Sequence, residues 1–217
     1  MKRLESAHFT VLGILFLVLL VPNVSATVIS YDLGYTWNGA TPGGDGPWIN
    51  ITFDDEGTAG EVTMTVTASV VMGEKIKELY LNLDPLLDAR ELEFTAAGGS
   101  GSFGDPKISA GVNAYKAGGG GKYDILIAFK TGGGNSKTFG AGDSVSYTIS
   151  NIASLTAESF GFISAAGGGE GQHYNAAHVL GIGGEESGWI TVPEPLSAML
   201  IGMGGMVLFG RRRRVAG

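Results

Sequence analysis

The central part of this 217-residue chain predicts an all-β fold, an antiparallel β-sandwich of the jelly-roll kind, over residues 27–191. Apolar and polar residues alternate strictly along Val62–Val70, which places one face of a strand in a core and the other in solvent. Glycine clusters separate such segments at fairly regular spacing, as turns do. No segment long enough for a core helix shows a clean helical period.

The predicted strands follow one another with short breaks. The alternation is clearest in Val62–Val70, Leu79–Leu83, Tyr123–Phe129 and Ser144–Ser150, and a short helix is expected around Leu86–Glu91. Glycine-rich breaks lie at residues 42–47, 98–101, 118–121, 132–134, 167–169 and 183–184. The weaker strand candidates are Val28–Tyr35, Trp48–Phe53, Leu92–Thr95, Ile108–Tyr115, Ser159–Ala165, His178–Ile182 and Trp189–Val192.

The first 26 residues have the pattern of a secretory signal peptide. Met1-Lys2-Arg3 is basic, Phe9–Val21 is apolar, and small residues occupy the positions before a cleavage site at Val24-Ser25-Ala26. The apolar run is shorter than the roughly 20 residues that a spanning helix prefers. We therefore expect a signal helix that is cleaved after Ala26, and export of the chain.

The last 26 residues, 192–217, combine three elements in order. Val192-Pro193-Glu194-Pro195 comes first, the apolar run Leu196–Phe209 follows, and the basic cluster Arg211, Arg212, Arg213 and Arg214 ends the pattern. Prolines keep the first element extended, and the arginines favour the cytoplasmic side of a membrane. As a helix, Leu196–Gly210 would be about 22 Å long, which is short for a bilayer core of roughly 30 Å. The pattern predicts a transmembrane helix that is present only transiently.

This tail resembles the PEP-CTERM sorting domain of Gram-negative bacteria. The resemblance implies that an exosortase, an integral membrane cysteine protease-transpeptidase, recognises Pro193-Glu194-Pro195 and removes the helix and the basic tail. It also implies a transient stay in the inner membrane and then a location in the cell envelope, at the surface or in the extracellular exopolysaccharide matrix. In that reading the motif residues are a substrate of another enzyme.

Composition excludes several classes of function. Residues 27–192 carry eight basic and nineteen acidic side chains, a net charge of −11, which repels nucleic acid backbones. The chain has no cysteine, so disulfides, thiol catalysis and thiolate metal sites are absent. We expect no nucleic acid partner.

A few residues are candidates for chemistry, each with a plain structural alternative. His173 and His178 are the histidines of the central domain, Asp54-Asp55-Glu56-Gly57 has oxygen ligands of the kind that calcium prefers, and Glu91 and Glu93 are placed on one strand face. Aromatic residues could instead form a platform on which a sugar ring stacks, and core or rim packing is the alternative for them: Trp37, Trp48, Trp189, Tyr31 and Tyr35.

No catalytic set emerges from these candidates. We therefore predict a non-enzymatic surface or matrix protein with no catalytic, cofactor-binding or metal residues. The alternatives are a carbohydrate-binding module of the exopolysaccharide matrix, with or without calcium, and a hydrolase on a sandwich scaffold. Burial of all three tryptophans would exclude sugar stacking, and two carboxylates facing each other in a cleft would favour the hydrolase.

Overall fold

The computed structural model describes residues 25–132 and 137–193, and the strands in them run from Val28 to Thr191. These ranges contain no α-helix, and 3-10 helices cover Ala89–Glu91 and Ala157–Phe160. The strands are β1 (Val28–Leu33), β2 (Tyr35–Gly39), β3 (Ile49–Asp54), β4 (Val62–Ala68), β5 (Lys75–Leu81), β6 (Glu93–Ser100), β7 (Lys107–Lys116), β8 (Lys122–Ala128), β9 (Ser144–Ser150), β10 (Ala176–Ile182) and β11 (Glu186–Thr191).

The strands form two antiparallel sheets. The first has five strands in the order β1-β3-β4-β9-β6, and the second has six in the order β2-β11-β10-β5-β8-β7. The chain crosses from the first sheet to the second within Leu33–Tyr35, since β1 and β2 belong to different sheets. The described part of the chain is therefore an all-β, antiparallel sandwich, as the alternation and the turns predict.

The core lies between the two sheets. In β4 every second residue is buried, from Val62 to Ala68, and the threonines between them point away from the core. The burial of apolar side chains on one strand face is what holds each sheet to the other. The core is supplied by both sheets: Ile49, Ile51, Phe53, Val62, Met64, Val66, Val145 and Ile149 from the first, and Ile76, Leu79, Leu81, Ile125, Ile127, Val179 and Ile190 from the second.

Most predicted strands are confirmed to within a few residues, and three predictions are wrong in part. Val28–Tyr35 is not one strand, because the chain changes sheet at Gly34. Ser159–Ala165 forms no strand, since its first two residues belong to the 3-10 helix Ala157–Phe160, in which Phe160 packs against Phe53 with ring centroids 4.3 Å apart. Residues 98–100 lie inside β6 rather than in a turn, where their main chain pairs with β9.

Candidate functional site

The end of the fold lies at the predicted sorting motif. Thr191 ends β11, is buried, and its Oγ1 donates a hydrogen bond to the carbonyl oxygen of Asn175 (2.6 Å). Val192 is half-buried and packs against the core, and Pro193 is exposed. Glu194, Pro195 and the basic cluster Arg211–Arg214 lie outside the described residues. The last strand therefore ends at the residue before the motif, and the first proline of the motif lies at the surface.

The predicted signal cleavage site lies at the other margin of the domain. Ser25 and Ala26 are exposed, Thr27 is half-buried and β1 begins at Val28. The predicted signal helix at 9–21 and the predicted transmembrane helix at 196–210 lie outside the described residues. Among residues 25–132 and 137–193, no helix has the length and apolar character needed to cross a membrane.

A cleft of about 350 Å³ lies beside the point where the chain leaves the fold. Its lining combines β2, the loop before β10 and the end of β11, through Tyr35, His173 and Thr191 to Pro193. Tyr35 pairs with Thr191 across the two strands and is 54% exposed. The next residue after His173 is Tyr174, which is 36% exposed and stacks on Tyr31 at 6.1 Å between ring centroids. The exposed rings in this region are thus tyrosines.

The tryptophans predicted to form a platform are used in packing. Trp48 is buried at 5% exposure, and its Nε1 donates a hydrogen bond to the carbonyl oxygen of Gly43 (3.0 Å). Trp37 is half-buried and stacks on the imidazole of His173, with ring centroids 4.4 Å apart. Burial of all three tryptophans would exclude sugar stacking, and that condition is not met because Trp37 and Trp189 are only half-buried.

Two groups cover Trp189 on the outer face of the six-stranded sheet. The His178 ring stacks on it nearly parallel, at 4.3 Å between centroids and 6° between planes. The loop at Gly118 also lies on the indole, so closely that an added Cβ would be 2.8 Å from two of its ring atoms. Covered in this way, Trp189 is a packing element in the described structure.

His178 has the surroundings of a neutral histidine. Burial lowers its pKa below the ordinary value, and the charge of Lys77 adds to that effect. Its Nδ1 lies 3.6 Å from Oε2 of Glu78, while the hydroxyl of Tyr80 donates a hydrogen bond to the same oxygen (3.1 Å). Burial also raises the pKa of Tyr80, so its hydroxyl keeps its proton. A neutral imidazole against an indole is a packing arrangement rather than an acid–base pair.

The acidic turn predicted as a calcium site holds the main chain together. Asp55 follows β3 directly, and its carboxylate accepts hydrogen bonds from the amides of Thr27 (2.8 Å), Gly57 (3.1 Å) and Ala157 (3.2 Å). These donors, Thr27 first, lower the pKa of Asp55. Asp54 caps the same turn by accepting from the amide of Glu56 (2.8 Å). Calcium binding here stays a prediction.

The pairing predicted for Glu91 and Glu93 is wrong. Glu91 belongs to the first 3-10 helix and Glu93 opens β6, so they do not share a strand face. The helix forms there because Asp88 accepts a hydrogen bond from the amide of Arg90 (3.0 Å) and caps the turn. In the described ranges, no group of three or more histidine, aspartate or glutamate side chains could hold a metal ion.

A second cleft, of about 380 Å³, was not predicted from the sequence. Asp84, after β5, and Asp124, in β8, both line it. Asp84 accepts from the amide of Leu86 (2.8 Å), and Asp124 accepts from the amides of Leu83 (3.0 Å) and Asn113 (2.7 Å). Main-chain donors therefore already bind both carboxylates. Only the antiparallel pairing of β5 with β8 brings these residues together, so no local sequence signal could have shown the cleft.

Fold and surface together define an antiparallel β-sandwich domain whose last strand leads straight into Val192-Pro193. No protein-family model matches the chain, and no curated protein or solved structure shows significant similarity to it. The resemblance of the tail to a sorting signal therefore depends on the residues 192–214 themselves.

Proposed function

We propose that this chain is an exported cell-surface or extracellular-matrix protein with a non-catalytic β-sandwich and a C-terminal PEP-CTERM tail that an exosortase cuts. The observation that carries the proposal is the exit of the chain from the fold: β11 ends at Thr191, and Pro193 is exposed. A protease must bind its substrate as an accessible, extended segment. Proline favours that conformation and cannot continue the ladder of a central strand.

The placement of both processing sites supports the same proposal. Cleavage after Ala26 would leave β1 intact, and cleavage at the motif would leave β11 intact. The sandwich would then reach the envelope, the surface or the exopolysaccharide matrix after a transient stay in the inner membrane of a Gram-negative cell. The signal helix, the transmembrane helix and the jelly-roll-like class of the sandwich are parts of this proposal.

The test replaces Pro193, Glu194 and Pro195 with alanine in the host. We expect the chain to keep its full length, by mass spectrometry, and to accumulate in the inner membrane fraction. The matched control replaces Glu185 and Glu186, which are exposed in the turn before and at the start of β11, and should be processed normally. Normal length and location of the motif variant would refute the proposal.

A carbohydrate-binding role is the second candidate, and the cleft beside the exit favours it. The exposed ring of Tyr35 borders the cleft, and aromatic faces stack on sugar rings. Thr191 and Val192 complete the lining next to it.

A glycan array probed with residues 27–192, with and without calcium, tests this second role. We expect Tyr35→Ser to abolish binding and Val112→Ser, an exposed apolar position on β7, to retain it. No binding under either condition would exclude the role for the sugars tested.

A further inference from the structure

The carboxylate of Asp55 is held in a fixed position by main-chain hydrogen bonds, close to the residue at which the folded domain begins. Asp55 is 6% exposed, and its Oδ1 accepts a hydrogen bond from the backbone nitrogen of Thr27 at 2.8 Å. The amide of Asp55 donates in return to the carbonyl oxygen of Thr27 (3.2 Å). The other hydrogen bonds of the carboxylate fix it to the turn at Gly57 and to the 3-10 helix at Ala157. The position of the carboxylate is therefore set by three separate segments of the chain.

The nitrogen that Asp55 binds is the atom that signal cleavage would release. Hydrolysis of the Ala26–Thr27 bond adds one water molecule, so Ala26 receives the carboxylate and Thr27 receives a primary amine. The ordinary pKa of an α-amino group is about 7.7–8.0, so this amine is protonated at neutral pH. Because Ser25 and Ala26 are exposed, their loss removes no buried contact from the domain.

Acidic side chains are concentrated around Asp55. The cleft at this turn is lined by the carboxylates of Asp54, Asp55, Glu56 and Glu61 with two threonines, and no basic side chain is among its described lining residues. Glu158 adds a further acidic residue from the 3-10 helix, next to Ala157. In the precursor the Thr27 amide is neutral, so these negative charges have no cationic partner in the lining. A charged terminus would supply one.

We propose that Asp55 binds the α-ammonium group of Thr27 in the processed chain, so that removal of the signal peptide completes a partly buried ion pair. The inference rests on the proposed export and cleavage after Ala26. The 2.8 Å hydrogen bond already has an ionised acceptor, and cleavage would give it an ionised donor as well without movement of the main chain, which makes it an ion pair. Processing would then stabilise the sandwich at its first strand.

The pH dependence of this pair has a defined sign. Asp55, with Asp54, Glu56, Glu61 and Glu158 nearby, favours the protonated amine and raises its pKa in the folded state. The added stability is therefore complete below the ordinary α-amino pKa, near 8, and is lost as the pH rises through the higher folded value.

The experiment compares two chains in detergent micelles: residues 27–217, made by a protease that leaves Thr27 first, and residues 25–217, which keep Ser25-Ala26. The rate at which the terminal amine is acylated is measured by mass spectrometry over a range of pH values. The pH dependence of this rate gives the pKa of the amine. We expect the Thr27 terminus to have a pKa at least one unit above the ordinary value, equivalent to about tenfold in the unfolding equilibrium, and the longer chain to show the ordinary value. In the Thr27-first chain, Asp55→Asn should restore the ordinary value, and Glu61→Gln should retain most of the increase.

An ordinary pKa at Thr27, or equal values in the two chains, would overturn the inference, and this comparison does not require Asp55→Asn to fold. Sequencing the N-terminus of the protein exported by its host is a separate measurement. A start other than Thr27 would refute the predicted cleavage site. The titration would still report whether Asp55 binds an ammonium group there, so the two failures are distinguishable.

Discussion

Replacing Gly118 with alanine measures how closely the loop covers Trp189. Gly118 has φ +52°, in the left-handed region, where an alanine costs about 1–2 kcal/mol. The added Cβ would also lie 2.8 Å from two indole atoms and 2.9 Å from a third, well inside van der Waals contact. Overpacking of this kind costs about 1–3 kcal/mol. The free energy of unfolding should therefore fall by about 2–5 kcal/mol.

A matched control separates the two contributions. Gly183, in the turn between β10 and β11, has φ +58°, and an added Cβ there would meet nothing within 4 Å. Gly183→Ala should thus cost only the backbone part, about 1–2 kcal/mol. Urea denaturation at 25 °C, followed by tryptophan fluorescence, gives both free energies of unfolding.

The excess cost of Gly118→Ala over Gly183→Ala is assigned to the indole ring. In a Trp189→Leu background that excess should shrink, because the ring that the new methyl group contacts is gone. Equal losses for the two alanines in the natural background would show that the loop does not press on Trp189.

Three further predictions concern stability. Because burial lowers the pKa of His178, the unfolded chain binds a proton that the folded chain does not. The free energy of unfolding should therefore fall as the pH drops below about 7. In His178→Phe, this contribution to the pH dependence of the urea midpoint between pH 5 and 8 should be absent. Asn82→Ala removes the hydrogen bonds that Nδ2 donates to the carbonyl oxygens of His173 and Tyr174. The free energy of unfolding should fall by about 1–3 kcal/mol per bond, and proteolysis of residues 166–172 should be faster. An unchanged cleavage rate would show that Asn82 does not hold that loop in place. Phe53→Ala removes a fully buried ring that stacks on Phe160 and should lower the free energy of unfolding by about 3–5 kcal/mol in urea titrations.

The parts of the fold that could be predicted are those in which one strand face is buried and the other is not. Val62–Ala68 and Ser144–Ser150 alternate because each has the core on one side and solvent on the other. β2 and the glycine-containing half of β6 could not be predicted in this way. They lie at sheet edges, where main-chain pairing with a neighbour, and not an apolar side-chain pattern, makes the strand.

The candidate sites also differ in how far they can be predicted from the local sequence. Pro193 marks the end of β11 because proline cannot continue the ladder, so the exit from the fold follows from sequence alone. The role of Asp55 does not, since its partners Thr27 and Ala157 are 28 and 102 positions away in the chain. Contacts of that kind are created by the sheet pairing, and an acidic turn looks the same in sequence whether it binds calcium or holds the main chain.

The short distance between fold and tail limits where processing can occur. Pro193 is at the surface of the sandwich, and the apolar run begins at Leu196, three positions later. Three extended residues span about 10 Å at most. If that run spans the membrane as proposed, the precursor domain is held directly against the lipid headgroups. The domain and the headgroups would then block a protease that approaches the motif from the aqueous phase. A protease embedded in the bilayer could bind the motif at the membrane surface. Cutting there would free an acidic domain, which anionic headgroups repel.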